Sequence, residues 1–161
     1  MLFRSFRIAS VNARKTLVVE ELLARHLEDR VLVLGMYIDQ LEFLARKLQA
    51  PIIEGKTSQK RRDELFERFR TGQERVLVIS KVGNFSVDLP DASVAVQVSG
   101  TWGSRQEEAQ RLGRILRPKP GHNTASFYSL ITRDTIEQTY GERRQLFLTE
   151  QGYAYRIESR A

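Results

Sequence analysis

Five short apolar runs, separated by segments with helical spacing, constrain the fold more than any other feature of this sequence. The runs are continuous rather than alternating, which is typical of strands buried on both faces of a parallel sheet. They are Val31–Leu34, Pro51–Ile53, Val76–Ile79, Val94–Val98 and Phe127–Ile131. Because strands alternate with helices, the sequence predicts an α/β domain with a central, mostly parallel sheet and helices on both faces.

Helical spacing of apolar residues fills most of the chain between these runs. It predicts five helices, over residues 13–27, 38–48, 59–70, 105–117 and 134–148. Asn12 is the expected cap of the first helix, and Ser104 and Glu107 form a capping box for the fourth. A short edge strand is expected at Tyr153–Ile157.

The composition is that of an ordinary folded protein, but the charge is unusual. The chain has 161 residues, of which 41% are apolar, enough for one domain with its own core. Residues 1–11 show no clear period and are interpreted as a linker, so the domain is placed at residues 12–161. The formal net charge of +6 favours a polyanionic partner, nucleic acid or nucleotide, over an acidic protein.

Several classes of site and protein are disfavoured by the same inventory. There is no cysteine, so neither a disulfide framework nor a thiolate metal site is available. The two histidines, His26 and His122, lie far apart; both are interpreted as structural or solvated, and no metal site is predicted. No apolar run reaches membrane-spanning length, and the N-terminus lacks a signal-peptide core, so we expect an intracellular protein that does not enter a membrane.

The segment at residues 110–118 carries the strongest chemical signal. At about 100° per residue, Gln110 and three arginines, Arg111, Arg114 and Arg117, fall within one arc of a helix. The opposite, core-facing arc carries Ala109, Leu112, Ile115 and Leu116. A row of fixed guanidinium groups suits the stabilisation of charge on a transferring phosphoryl group, and the alternative is a solvated basic face. Gly113 costs roughly 1 kcal/mol within a helix, which favours a closely packed functional segment.

Residues 50–57, Ala-Pro-Ile-Ile-Glu-Gly-Lys-Thr, match a permissive form of the phosphate-binding loop. A strand-like segment with a proline and an acid cannot cradle phosphates as a glycine-rich loop does, so a strand end at Ile53, a turn and a helix start near Ser58 are predicted instead. Thr57 and Ser58 would then hold a nucleic-acid phosphate at a helix N-terminus, or the helix simply has a solvated basic first turn. The basic neighbours are Lys56, Lys60, Arg61 and Arg62.

A third segment, Ser80–Pro90, follows a predicted strand and is rich in turn formers. It lies at the carboxyl end of the sheet, where ligands of such sheets bind. Ser80 and Lys81 can donate to phosphate, and Asp88 can accept from a hydroxyl or an arginine. By themselves these residues also occur in inert loops.

Taken together, these segments resemble the second, C-terminal motor domain of XPB-type DNA helicases of superfamily 2, in a form closer to prokaryotic members. The resemblance runs from about residue 12 to residue 157 and rests on Ser80–Pro90, Ser99–Ala109 and Gln110–Arg117, with support from Phe127–Leu130 and Arg144–Tyr153. It implies a RecA-like fold.

The resemblance also implies roles for single residues. Arg114 and Arg117 would act catalytically, reaching the γ-phosphate of ATP held by the other motor domain. The expected nucleotide-binding residues are Gly83, Asp88, Gln110 and Arg111, with Arg111 coupling that site to the neighbouring loop. The expected DNA-binding residues are Thr57, Ser58, Ser80 and Lys81.

The implied function is that of half a motor, an ATP-dependent DNA helicase or translocase moving 3′ to 5′ in DNA repair or transcription-linked DNA opening. ATP and Mg²⁺ would be bound mainly by an N-terminal motor domain that these 161 residues do not contain, so this chain alone is predicted to be inactive, with residues 1–11 as a linker remnant. A nuclease or repair factor is a further possible partner, and the location is cytoplasmic, or nuclear in a eukaryote. Two alternatives are a non-catalytic module that binds DNA or a protein, and a complete small NTPase using Gly55, Lys56 and Thr57.

Overall fold

A computed structural model describes residues 7–80, 92–100, 116, 120–121, 124–154 and 156–160. In this part of the chain, five parallel strands form one sheet in the order β2-β3-β1-β4-β5. The strands are β1 (Val31–Gly35), β2 (Ile52–Ile53), β3 (Val76–Ser80), β4 (Val94–Gln97) and β5 (Ser126–Ser129). The predicted parallel α/β sheet is confirmed.

Within the described residues, four helices accompany the sheet, and a further short helical segment spans residues 7–10. The helices are α1 (Arg14–Arg25), α2 (Ile38–Leu48), α3 (Gln59–Arg70) and α4 (Ile136–Glu150). The predictions for α2 and α3 match to the residue. The helix predicted at residues 105–117 and its capping box lie outside the described residues, except for Leu116.

Both faces of the sheet are buried, which explains why the strands read as unbroken apolar runs. Alternate residues of one strand serve opposite faces. Val31 and Val33 pack with α1 and α2 in one cluster, whereas Leu32 packs with Leu65 and Phe69 of α3 in the other. A one-residue register shift would therefore exchange the two cores, so the register of β1 is strongly specified.

The ends of two helices differ from their predicted positions. The first helix begins at Arg14, and its N-cap is Ala13 and not the predicted Asn12, although Oδ1 of Asn12 accepts a hydrogen bond from the N–H of Arg14 at 3.0 Å. The last helix begins at Ile136 rather than residue 134 because Asp134 has a left-handed φ of 58°. Thr135 caps it by accepting from the N–H of Glu137 at 3.3 Å.

The edge strand predicted at Tyr153–Ile157 is wrong for the residues that can be described there, none of which belongs to a strand. Their apolar side chains do not reach the core, since Ile157 is 71% exposed. This tail instead lies against α1, where Glu158 pairs with Arg25 at 3.3 Å. The tail is held by ion pairs to a helix and not by the backbone hydrogen bonds of an edge strand.

The second half of the predicted linker is packed on the domain. Ala9 and Ser10 are buried, and the hydroxyl of Thr132 donates to the carbonyl of Ala9 at 2.7 Å. Gln40 of α2 donates to the carbonyl of Ser10 at 2.6 Å. The apolar residues of this stretch show no clear helical period, so sequence spacing missed this segment. A connection of residues 1–11 to another domain stays a prediction.

Candidate functional site

The carboxyl edge of the sheet brings together the ends of β2, β3, β1 and β4. Ile53 pairs with Ile79 and Ser80 pairs with Gly35, so the residues after β2 lie directly beside the end of β3. Adjacent strands are about 4.8 Å apart, and this edge is where parallel sheets bind ligands. The topology thus places the predicted DNA-binding residues Thr57, Ser58 and Ser80 on one edge.

Thr57 and Ser58 lie in a turn that opens α3. The N–H of Glu54 donates to Oγ1 of Thr57 at 2.9 Å, and the N–H of Arg61 donates to Oγ of Ser58 at 3.3 Å. Ser58 is thus the helix N-cap. A hydroxyl that accepts one hydrogen bond keeps its own proton for another acceptor, and the start of a helix carries partial positive charge. The turn can therefore donate to an anion.

The basic residues of this turn differ in their interactions with neighbouring groups. Lys56 lies 3.1 Å from Glu54 and 3.9 Å from Glu42, and the hydrogen bond to Glu54 raises the pKa of Lys56. Arg61 pairs with Glu64 at 2.9 Å. Lys60 is exposed and makes no ion pair with a described residue. Arg62 donates to backbone carbonyls of the turn itself.

Ser80 differs from Thr57 and Ser58 because it is only 1% exposed. It ends β3 opposite Gly35 of β1, one residue after Ile79, which pairs with Ile53 of β2. The hydroxyl of Ser80 therefore lies below the surface at the carboxyl edge of the sheet. A DNA contact by Ser80 stays a prediction. Lys81, Gly83 and Asp88 lie outside the described residues.

The junction of β1 and β4 is a close contact that sequence reasoning missed. Oγ of Ser99 accepts from the N–H of Met36 at 2.7 Å, and a Cβ placed on Gly35 would lie 2.9 Å from that oxygen. The glycine therefore permits the two strand ends to approach each other. The contact lies at the carboxyl end of β1, which ends at Gly35.

A buried ion pair, also missed from the sequence, lies at the same edge. Nζ of Lys15 is 2.6 Å from Oε1 of Glu137 and donates to the carbonyl of Val98 at 2.8 Å. Glu137 also accepts from the hydroxyl of Ser10 at 3.0 Å and from the N–H of Thr132 at 2.8 Å. Burial lowers the pKa of Lys15, and Glu137 opposes that effect.

Helical spacing contained a signal for this pair. Lys15 precedes the buried residues Val19 and Leu22 by four and seven positions, so it shares their face of α1. Glu137 likewise precedes Gly141 on the buried face of α4. A charged residue within an apolar stripe indicates a buried partner.

Most of the arginine segment, including Gln110, Arg111, Arg114 and Arg117, lies outside the described residues. Leu116 is described, and it packs against the core cluster on the α3 side and forms a parallel bridge with Ala92. Leu116 therefore contacts the core as predicted, but the prediction of helix at residue 116 is wrong, because this residue forms a β-bridge. Because Ala92 precedes β4, Leu116 lies toward the amino edge of the sheet, opposite Thr57 and Ser58.

The structure supports a turn rather than a phosphate-binding loop at residues 50–57. Ile52 and Ile53 form β2, and Glu54, the next residue in the chain, is largely buried. Within the described residues, no group of three or more His, Asp or Glu side chains is arranged to hold a metal ion. His26 has a structural role there, contacting Asp29 at 2.8 Å and Tyr128 at 2.7 Å. No described helix is both long and apolar enough to cross a membrane.

Comparison with known families gives a match over residues 4–161 to the ERCC3/RAD25/XPB C-terminal helicase family. The chain belongs to this family. Similar curated proteins include the DNA 3′-5′ helicase XPB of Kineococcus radiotolerans, 57% identical over 94% of this chain, and that of Mycobacterium tuberculosis, 55% identical over 94%. The yeast TFIIH helicase/translocase XPB/SSL2 subunit is 41% identical over 80% of the chain, so the sequence is closer to these bacterial relatives. The matches span only 27%, 28% and 16% of those relatives.

Solved structures support the same fold. The C-terminal domain of the DEAD-box protein Dbp5 superposes with a TM-score of 0.72 at 19% identity, covering 86% of this chain and 81% of that one. The yeast DEAD-box splicing factor Prp28 gives 0.62 at 20% identity, covering 80% and 30%. The RecA-like fold of helicase C-terminal domains, expected from the resemblance, is thereby confirmed.

Proposed function

We propose that this chain is the C-terminal motor half of an ATP-dependent DNA helicase or translocase moving 3′ to 5′. The observation that carries the proposal is the family match across residues 4–161, on a RecA-like sheet. Relatives named DNA 3′-5′ helicase XPB support the direction and the substrate. DNA repair or transcription-linked DNA opening is the corresponding process.

The proposal assigns DNA contact to the turn that opens α3. Thr57 and Ser58 would hold a backbone phosphate through their hydroxyl protons, because both oxygens already accept a hydrogen bond from the chain. Lys60 adds a charge that no described carboxylate neutralises. Lys81 and Ser80 complete the proposed set at the end of β3.

The proposal assigns nucleotide chemistry to the arginine segment and to the loop after β3. Arg114 and Arg117 would stabilise charge on the γ-phosphate, with Gln110, Arg111, Gly83 and Asp88 beside the nucleotide. The described residues do not fit a resident nucleotide or Mg²⁺ site, since β2 occupies the place of a phosphate loop and no described carboxylate cluster is present. ATP and Mg²⁺ would therefore be held by an N-terminal motor domain.

The decisive experiment combines this chain with the N-terminal motor domain of an XPB helicase, such as one of the bacterial relatives. ATP hydrolysis is measured for each part and for the mixture, with and without DNA. We expect DNA-stimulated hydrolysis from the combination. If neither the mixture nor a covalent fusion hydrolyses ATP, the chain is better explained as a non-catalytic DNA- or protein-binding module. A nuclease or repair partner and a cytoplasmic location are further parts of the proposal.

A further inference from the structure

We propose that Arg62 is a positioning residue that holds the turn Glu54–Ser58 in the form that receives a DNA phosphate, rather than a phosphate ligand itself. The inference rests on the proposed DNA contact at this turn. Its basis is the set of hydrogen bonds that the guanidinium makes to the turn backbone.

Arg62 reaches back from the first turn of α3. Nε donates to the carbonyl of Thr57 at 3.0 Å, and Nη2 donates to the carbonyls of Glu54 at 3.1 Å and Gly55 at 3.2 Å. Three bonds in a planar fork fix the carbonyls relative to one another. A lysine ammonium has the same charge but lacks this planar fork, so it cannot reproduce the arrangement.

These bonds determine where the amide groups of the turn point. In a planar trans peptide, the N–H points opposite to the carbonyl of the preceding residue. Holding the carbonyls of Glu54, Gly55 and Thr57 toward Arg62 therefore directs the N–H groups of Gly55, Lys56 and Ser58 away from it. Among the described residues, none of these three N–H groups has a backbone acceptor. Outward N–H groups at a helix start are suited to an anion.

The position of Arg62 in the first turn of α3 is explained by its hydrogen bonds to the carbonyl groups of the turn. A cation in the first turn of a helix is unfavourable because the helix start is already positive. α3 has no acidic residue in its first turn. The three charge-assisted bonds to carbonyl oxygens compensate for this placement. They also turn negative carbonyl dipoles away from the place where a phosphate would lie.

The experiment compares Arg62→Lys with Lys60→Gln in the complete chain. Binding of a fluorescently labelled oligothymidine is titrated by anisotropy at several salt concentrations. Hydrogen exchange is followed at the amides of Glu54 and Thr57, which are hydrogen-bonded inside the turn. Thermal melts verify that each variant is folded.

Arg62→Lys is expected to weaken DNA binding about tenfold, which corresponds to one lost charge-assisted hydrogen bond. The salt dependence should stay unchanged because the positive charge is retained, and exchange at Glu54 and Thr57 should become faster. Lys60→Gln is expected to lower the slope of log affinity against log salt by about 0.7, as for one lost phosphate contact on a single strand, with exchange unchanged.

Wild-type binding and wild-type exchange in Arg62→Lys would overturn the inference. So would an Arg62→Gln variant that lowers the salt slope as Lys60→Gln does while exchange is unaffected, because Arg62 would then be a direct phosphate contact. A different result bears on the proposed function: if Lys60→Gln and Ser58→Gly leave DNA binding unchanged while Arg62→Lys loosens the turn, the DNA contact at this turn is contradicted and the ordering of the turn by Arg62 is not.

Discussion

At the scale of single residues, the charged side chains of this domain have two different tasks. Arg114 and Arg117 are proposed to meet charge that develops during a reaction, whereas Lys15 and Glu137 neutralise each other inside the protein at 2.6 Å. The first task needs exposure to a ligand, and the second needs exclusion of water. Substitution of Arg114 or Arg117 is therefore expected to impair catalysis, whereas substitution of Lys15 or Glu137 is expected to impair stability.

Arg114→Ala or Arg117→Ala, made in an enzyme containing both motor domains, should lower kcat for ATP hydrolysis about 10³-fold, the low end for arginine fingers. KM for ATP should change much less, because the charge develops mainly in the transition state. Steady-state kinetics beside a thermal melt are the measurement. Arg133→Ala, at an exposed position, is the matched control. A folded Arg114→Ala enzyme with normal kcat would refute the assignment.

Lys15→Met should destabilise the domain by about 3 to 5 kcal/mol, because it leaves the buried carboxylate of Glu137 without its partner. The double variant Lys15→Met/Glu137→Gln should recover part of the loss, since the amide oxygen can still accept from Thr132. Urea unfolding measures both. Lys47→Met is the control, because its 4.0 Å pair with Glu20 is exposed and is worth less than about 1 kcal/mol. A loss in Lys15→Met no larger than in the control would contradict this account.

At the scale of elements, α3 is anchored on the sheet and presents its N-terminus at the carboxyl edge. Its buried residues, Leu65 and Phe69, fix the helix against the sheet, and its N-terminus remains at the carboxyl edge. Ser58 belongs to both tasks, since it caps the helix and offers a hydroxyl proton. The two contributions can be separated by the choice of substitution.

Ser58→Ala should cost about 1 kcal/mol of stability through the lost cap, whereas Ser58→Gly should cost only a few tenths, because glycine is tolerated at this position. Both variants lose the hydroxyl and should weaken DNA binding alike. Chemical unfolding and anisotropy titrations give the two quantities independently. Weaker binding in Ser58→Ala only would show that the helix end, and not the hydroxyl, is responsible.

At the scale of the whole molecule, the sheet separates the turn at Thr57 and Ser58 from Leu116. Thr57 and Ser58 follow strand carboxyl ends, whereas Leu116 bridges Ala92 before β4. The chain spans less than a third of the length of its bacterial relatives.

The isolated chain should therefore hydrolyse ATP no faster than background, with or without DNA. The physical reason is the missing phosphate cradle, since β2 occupies residues 52–53 and no described carboxylate cluster can hold Mg²⁺. Phosphate release from purified protein is the assay, and Lys56→Ala serves as its check. DNA-stimulated turnover that disappears in Lys56→Ala would instead favour a small NTPase built on that lysine.

Much of this molecule was determined by local sequence. Continuous apolar runs predicted the parallel strands, and helical spacing gave α2 and α3 to the residue, because burial on two faces leaves a pattern in every short window. The motif resemblance gave the family. The edge strand expected at Tyr153–Ile157 was mispredicted, because a strand needs a neighbouring strand to pair with and a local pattern does not supply one.

What only the tertiary structure decided are contacts between residues distant in the chain. Lys15 meets Glu137 across 122 positions, and Ser99 meets Met36 across 63. Arg62 turns from solvent to the backbone of its own turn, where spacing predicted only one more positive charge. Such choices depend on which surfaces the fold brings together, because a side chain's partner is set by distance in space and by exclusion of water, neither of which a local pattern contains.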